Sequence, residues 1–177
     1  KINDDIYITG ELGDSFLGLK FLQNKVFNKN IYKKYFINKF YLPMINLNFS
    51  KYLTKLANTS IDISDGLLID LNKMTNNQKI SSEIYYDKIP ISNKLKIFLR
   101  KNSLKKNKFI FNGDDYQILF TAKKSKRHHI NKISKITNTK ISRIGRIISK
   151  RNFKFSLLKG DKVFKLTKIP GYEHFFA

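Results

Sequence analysis

The chain has 177 residues, 35 Lys+Arg against 13 Asp+Glu for a formal net charge of +22, and no Cys. That length allows one domain or two small ones, and 41% hydrophobic residues can bury a real core, which excludes wholesale disorder. Without Cys there is no disulfide framework, thiolate metal site or thiol chemistry, and no apolar run approaches the roughly 20 residues that cross a bilayer, so a soluble, intracellular protein with no membrane partner is expected.

Residues 6–9 read as a strand that stops at Gly10, with Lys1 directly in front of it as in a chain cut upstream. After Gly13, Leu19, Leu22 and Val26 recur at helical spacing, with Asp14 or Ser15 placed to cap the helix. A second helix is expected over 31–40, broken at Pro43, a third over 49–57, and then a short strand ending near Ile63. Ser64-Asp65-Gly66 opens the next helix, whose Leu67, Leu68, Leu71 and Met74 share one face, with Asp70 on its solvent side. A strand is expected at 83–86, closed by Ile89-Pro90, then a helix capped by Ser92 that reaches Leu99 and a lysine-rich loop over 101–108. The turn Asn112-Gly113-Asp114-Asp115 leads into a buried strand at 116–121. A helix over 124–136 and strands near 140–148, 153–158 and 163–166 complete the pattern, and the tail from Gly171 to Ala177 is aromatic. Alternating elements in one continuous core, without linker or repeat, predict a single α+β (layered α/β) domain, a mixed β-sheet packed with helices.

So basic a chain makes nucleic acid the first partner to weigh. Yet Arg supplies only five of the 35 basic residues, and Arg is the side chain preferred for bidentate phosphate and guanine contacts. Lys, Ile, Asn, Phe and Tyr are abundant everywhere, which reads as compositional drift with solvated lysines and not as a selected binding face. The stretch 123–154 is the basic footprint if nucleic acid is bound. Against this background the scarce acids are informative. Six of the 13 lie in three Gly-containing segments: Asp14; Asp62, Asp65 and Asp70; Asp114 and Asp115. Ligation of a hard cation is a task for carboxylates, and helix capping competes with it at each site.

Asp62-Ile63-Ser64-Asp65-Gly66 sets two carboxylates and a hydroxyl where a strand hands over to a helix. Helix N–H groups and the helix dipole favour anions there, and carboxylates just outside can hold Mg²⁺ against phosphate oxygens. The other reading has Ser64 or Asp65 capping the helix and Asp62 paired with a lysine. In Asn112-Gly113-Asp114-Asp115-Tyr116 one carboxylate can meet a metal or a substrate cation, or the turn closes on an Asx hydrogen bond. Gly10-Glu11-Leu12-Gly13-Asp14-Ser15 can offer backbone amides to a phosphate, but it matches neither the Walker spacing nor the dinucleotide fingerprint. His128, His129 and His174 have no partner at catalytic or metal spacing.

Read together, these segments resemble the C-terminal half of thiamine-monophosphate kinase, and the likeness spans the whole chain. The family's motifs follow in order: Ile8-Thr9-Gly10 to Gly13-Asp14-Ser15 with Gly18-Leu19; Leu56-Ala57-Asn58 leading to Ile61-Asp62-Ile63-Ser64-Asp65-Gly66-Leu67; Ile89-Pro90; Gly113-Asp114-Asp115-Tyr116 with Leu119-Phe120-Thr121; Ile144-Gly145-Arg146-Ile147; and Gly171-Tyr172-Glu173-His174-Phe175. The resemblance implies a PurM-like C-terminal domain over 1–177, with an N-terminal ATP-binding and dimerisation domain missing. It implies transfer of the γ-phosphoryl of ATP, the co-substrate, onto thiamine monophosphate with Mg²⁺, by a cytoplasmic homodimer with no specific nucleic-acid partner. Carried over by position, Asp62 and Asp65 would be Mg²⁺ ligands, Ser64 an ATP contact, and Asp114 and Tyr172 contacts of thiamine monophosphate. Asn112 departs from the first Gly, and Asp114 from the Glu, of the family's Gly-Gly-Glu-Asp-Tyr; Pro43-Met44-Ile45-Asn46 lacks its Pro-Arg. The fragment alone is not expected to turn over. The alternatives are another member of the aminoimidazole ribonucleotide synthetase and selenophosphate synthetase superfamily, an RNA-binding protein using interleaved Phe, Tyr and Lys, or a gene remnant that keeps the fold without activity.

Overall fold

In strand β1 (Asp5–Thr9) alternation sends Ile6 and Ile8 to one face and Tyr7 to the other, and all three are buried. The strand therefore runs inside a sheet that is covered on both sides. The computed structural model describes residues 1–25, 31–166 and 169. After β1 come α1 (Asp14–Leu22), α2 (Lys33–Tyr41), α3 (Leu47–Leu56), β2 (Thr59–Asp62), α4 (Leu67–Met74) and β3 (Ile80–Tyr85). Then follow α5 (Asn93–Lys101), α6 (Asn107–Ile110), β4 (Ile118–Ala122), α7 (Arg127–Ile136), β5 (Ile141–Ser149), β6 (Phe155–Lys159) and β7 (Lys162–Leu166). The seven strands form one sheet in the order β2-β4-β1-β5-β3-β6-β7. Every neighbouring pair is antiparallel except β3 with β6, so the sheet is mixed and the fold is the expected α+β.

One sheet face carries Ile6, Ile8, Leu119, Ile84 and Phe155 beneath Leu17 and Phe21 of α1, Leu68 and Leu71 of α4, and Leu95 and Phe98 of α5. The other carries Tyr7, Phe120 and Ala122 beneath Phe49 and Leu56 of α3 and Ile130 and Ile133 of α7. Tyr7 and Phe120 are cross-strand neighbours whose rings stack 5.1 Å apart, a pairing that adds to their buried area. The expected stripe of α1 is corrected: Leu17, Gly18 and Phe21 are buried, whereas Leu19 and Leu22 are half-buried and Val26 lies outside the described residues. Gly18 decides this, because a Cβ there would stand 2.1 Å from the carbonyl oxygen of Phe36 in α2, and only glycine lets the two helices approach so closely. Ser92 caps α5 as expected, its Oγ accepting from the Leu95 N–H at 3.0 Å. The lysine-rich stretch 101–108 is less of a loop than expected, since Lys101 ends α5 and Asn107 begins α6. No helix among the described residues is long and apolar enough to cross a membrane.

Asp5 shares the face of Tyr7 and is buried. Its carboxylate takes Arg127 at 2.6 and 2.8 Å and Arg143 at 3.1 Å; Arg146 pairs with Glu83 at 2.5 Å. Three of the five arginines are thus engaged within the chain. Burial by itself would raise the Asp5 pKa, but the hydrogen bonds and charges of the two arginines outweigh it and hold the carboxyl below its ordinary value. A lowered folded-state pKa gives stability that is complete above the unfolded-state value and lost as pH falls through the folded one. Asp5→Asn should therefore lower stability by about 2 kcal/mol in urea unfolding at neutral pH, with the gap closing in acid.

Candidate functional site

Strand β4 lies between β2 and β1 and runs antiparallel to both. The residues that follow β2, those that follow β1 and those that precede β4 must therefore meet at one end of the sheet. These are the three acid-bearing segments. The β2–β4 ladder runs on past the strands: Ile63 N–H donates to the Gln117 carbonyl at 2.8 Å, Tyr116 N–H to Ile63 at 2.9 Å, and Asp114 N–H to Ser64 at 2.9 Å. Gly113 makes this possible, because a Cβ there would lie 1.8 Å from the Ser64 carbonyl oxygen. Asp114 bends the chain in the left-handed region at φ 68°, which Asp tolerates better than most residues. Asn112, in place of a glycine, donates its side-chain amide to the Lys108 carbonyl at 2.9 Å.

Three of the six carboxylates are consumed inside the fold. Asp115, buried, accepts the N–H of Gly13 at 2.7 Å and of Ser15 at 3.4 Å, so it is Asp115, and neither Asp14 nor Ser15, that satisfies the start of α1. The N-cap position is Gly13, without a side-chain cap. Asp14 instead takes the hydroxyls of Ser92 at 2.7 Å and Tyr35 at 2.8 Å, tying α1 to α5 and α2. Asp70 was expected on the solvent side of α4 and is fully buried. Its Oδ2 accepts the N–H groups of Ser64, Asp65 and Gly66 at 3.0, 2.9 and 3.0 Å. A helix start exposes N–H groups with no partner in the helix, and Asp70, in the first turn, folds back to meet them. Neither Ser64 nor Asp65 acts as the cap, which falls on Gly66. Of the amides around the starts of α1 and α4, those of Gly13, Ser15, Ser64, Asp65 and Gly66 are thus occupied by the protein's own carboxylates. The one signal for Asp70 and Asp115 was their survival as acids in an acid-poor chain.

The other side chains remain at the surface of the same sheet end. Asp62 is exposed at the end of β2, and Ser64 and Asp114 are half-buried; among the described residues none of the three side chains has a hydrogen-bond or ion-pair partner. Asp65 is nearly buried and pairs with the Lys73 ammonium, which also lies 3.2 Å from Asp70 Oδ1. Burial and the neighbouring Asp65 charge raise the Asp114 pKa. Mg²⁺ favours hard oxygen donors and takes one or two carboxylates, with phosphate and water completing its shell. Asp62 and Asp65 are such donors, and Asp65 already holds a cation in the form of Lys73. Among the described residues no three His, Asp or Glu stand close enough for an all-protein cage. Tyr172 lies outside the described residues.

A cleft of about 220 Å³ opens between α1, the α2–α3 connection and the start of β5, lined by Glu11, Asp14, Lys39, Asp115, Gln117 and Lys140 among others and by none of Asp62, Ser64, Asp65 and Asp114. Asn46, in the segment without the family's Pro-Arg, donates to Gln117 at 3.0 Å and Thr9 at 3.2 Å and pins the connection there.

Asp70→Ala strands three amides and should cost about 3 kcal/mol or more in urea unfolding. Asp115 predicts a pH effect of the opposite sign to Asp5. Burial pushes its pKa up to about 8, against the pull of the Gly13 and Ser15 amides and with the push of Asp14. A raised folded-state pKa means that this group's contribution is present in acid, below the unfolded-state value, and declines as pH climbs through about 8. The loss of stability between about pH 5 and pH 8 should be shallower in Asp115→Asn, measured by chemical denaturation.

No protein-family model matches the chain. It is 35% identical over 176 residues to the thiamine-monophosphate kinase of Buchnera aphidicola subsp. Schizaphis graminum, which covers 99% of this chain and 54% of that protein. The solved structure of AaThiL complexed with AMPPCP and TMP is 28% identical, with a TM-score of 0.80 over 99% of this chain and 52% of that one. E. coli HypE, at 11% identity and a TM-score of 0.71 over 98% of this chain and 52% of its own, shares the fold alone. The chain spans about half the length of the curated relatives it matches.

Proposed function

The chain belongs to the thiamine-monophosphate kinase family, and from that premise we propose that it serves as the C-terminal domain of an enzyme that transfers the γ-phosphoryl of ATP onto thiamine monophosphate, giving thiamine diphosphate. The observation that carries the proposal is the sorting of the carboxylates. At one sheet end Asp14, Asp70 and Asp115 are closed within the fold, Asp65 is held by Lys73, and the side chains of Asp62, Ser64 and Asp114 have no hydrogen-bond or ion-pair partner among the described residues. The complex of AaThiL with AMPPCP and TMP supports the same pair of substrates here.

The acceptor phosphate is already anionic, so the chemistry needs no strong general base; positioning and charge neutralisation dominate. Asp62 and Asp65 would hold Mg²⁺, which neutralises charge across the reacting phosphates. The Ser64 hydroxyl donates to a phosphate oxygen of ATP, from a backbone that Asp70 keeps in place. By the family resemblance Asp114 and Tyr172 would contact the thiamine monophosphate. By the same resemblance the rest of the ATP and metal site, and a homodimer contact, would come from an N-terminal domain, and the enzyme would work in the cytoplasm.

The test is thiamine diphosphate formation by the full-length protein with ATP and Mg²⁺. Asp62→Asn should lower kcat/KM by about a hundredfold, the loss typical of a group that stabilises developing charge. Asp114→Ala should raise KM for thiamine monophosphate by about tenfold with kcat little changed, as expected when ground-state and transition-state binding are lost together. A folded wild type that makes no product overturns the kinase function. A change in ATP dependence alone overturns the role of Asp114.

A further inference from the structure

Among the described residues, Lys73 supplies the ammonium that contacts the carboxylates at the start of α4. It stands one turn beyond Asp70, and its side chain reaches back toward the helix N-terminus, the direction in which helical side chains lean. A cation there is disfavoured by the helix dipole, so the carboxylates are what hold it. The two carboxylates are unequal partners. Asp70 is immobilised by its three amide bonds and offers Oδ1 as a fixed anchor. Asp65 lies on the turn, 12% exposed, whereas the Lys73 side chain is 47% exposed and has open solvent to move into.

We propose that Lys73 is a built-in counter-cation: it occupies Asp65 in the metal-free protein and must withdraw toward Asp70 and solvent before Asp65 can take a metal. This rests on the reading of Asp65 as a metal ligand. A metal on the oxygen that Lys73 contacts cannot coexist with the ammonium, and a metal on the other oxygen would sit close to a like charge. Lys73 therefore sets how much metal the site demands before it fills, and it keeps the turn assembled until then. It acts through Asp65, as a positioning residue.

The experiment is a Mn²⁺ titration of the full-length protein without nucleotide, followed by electron paramagnetic resonance. Lys73→Met should bind Mn²⁺ about fivefold more tightly than wild type, the factor that corresponds to a partly exposed ion pair. Lys73→Arg should keep the wild-type affinity, and Asp65→Asn added to Lys73→Met should abolish the gain. In EDTA the Met variant should melt below wild type, and Mn²⁺ should raise its melting temperature by more, because ligand binding stabilises in proportion to affinity. Equal affinity in wild type and Lys73→Met, a gain that survives Asp65→Asn, or no Mn²⁺ uptake by any of the proteins overturns the proposal. If Lys73→Met does not fold, Lys73→Gln serves in the same titration. Failure of the kinase reading would show separately, as a wild type that makes no thiamine diphosphate.

Discussion

A buried carboxylate must be met by donors or stay protonated, and in this chain two of them are met by the backbone at helix starts. Asp70 gathers the amides of Ser64, Asp65 and Gly66; Asp115 gathers those of Gly13 and Ser15. Each bond set does two things at once. It satisfies a helix N-terminus that would otherwise expose its N–H groups, and it fixes a turn that carries a side chain of the proposed site. Ser64 and Asp65 stand on the turn held by Asp70, and Asp114 precedes the residue whose burial locks the other turn to α1.

The sheet supplies the second constraint. With β4 between β2 and β1 and antiparallel to both, segments far apart in the chain are delivered to the same edge, and the close fit of Gly113 against Ser64 brings two turns to contact distance. The two sheet faces, one under α1, α4 and α5 and the other under α3 and α7, hold that edge rigid. A site built on strand ends and helix starts keeps its geometry better than one on free loops.

The basic charge takes a background role in this arrangement. Arg127 and Arg143 are spent on Asp5 and Arg146 on Glu83, so the side chains best suited to phosphate recognition are largely committed to internal pairs. Lys73 differs from the many solvated lysines because it faces carboxylates that the fold has fixed in place.

Local structure was legible in the sequence wherever it depends on near neighbours. The alternation in β1, the apolar face of Leu67, Leu68 and Leu71, the Ser92 cap and the turn at Gly113 all follow from residues within one element, and the structure has them. The scarcity of acids also marked three segments that the sheet brings to one end. Their division of labour was not legible. Asp70 read as a solvent-facing residue because a helical wheel shows which side a residue faces but not that the preceding turn will present three amides to it. The partner of Asp115 lies 102 residues away at Gly13, and no local pattern encodes that distance. By itself the sequence determined which residues could be carboxylate, turn or core; only the tertiary structure decided which carboxylates are closed inside, which is paired with Lys73 and which are left at the surface, because burial and hydrogen bonding depend on what packs opposite each side chain.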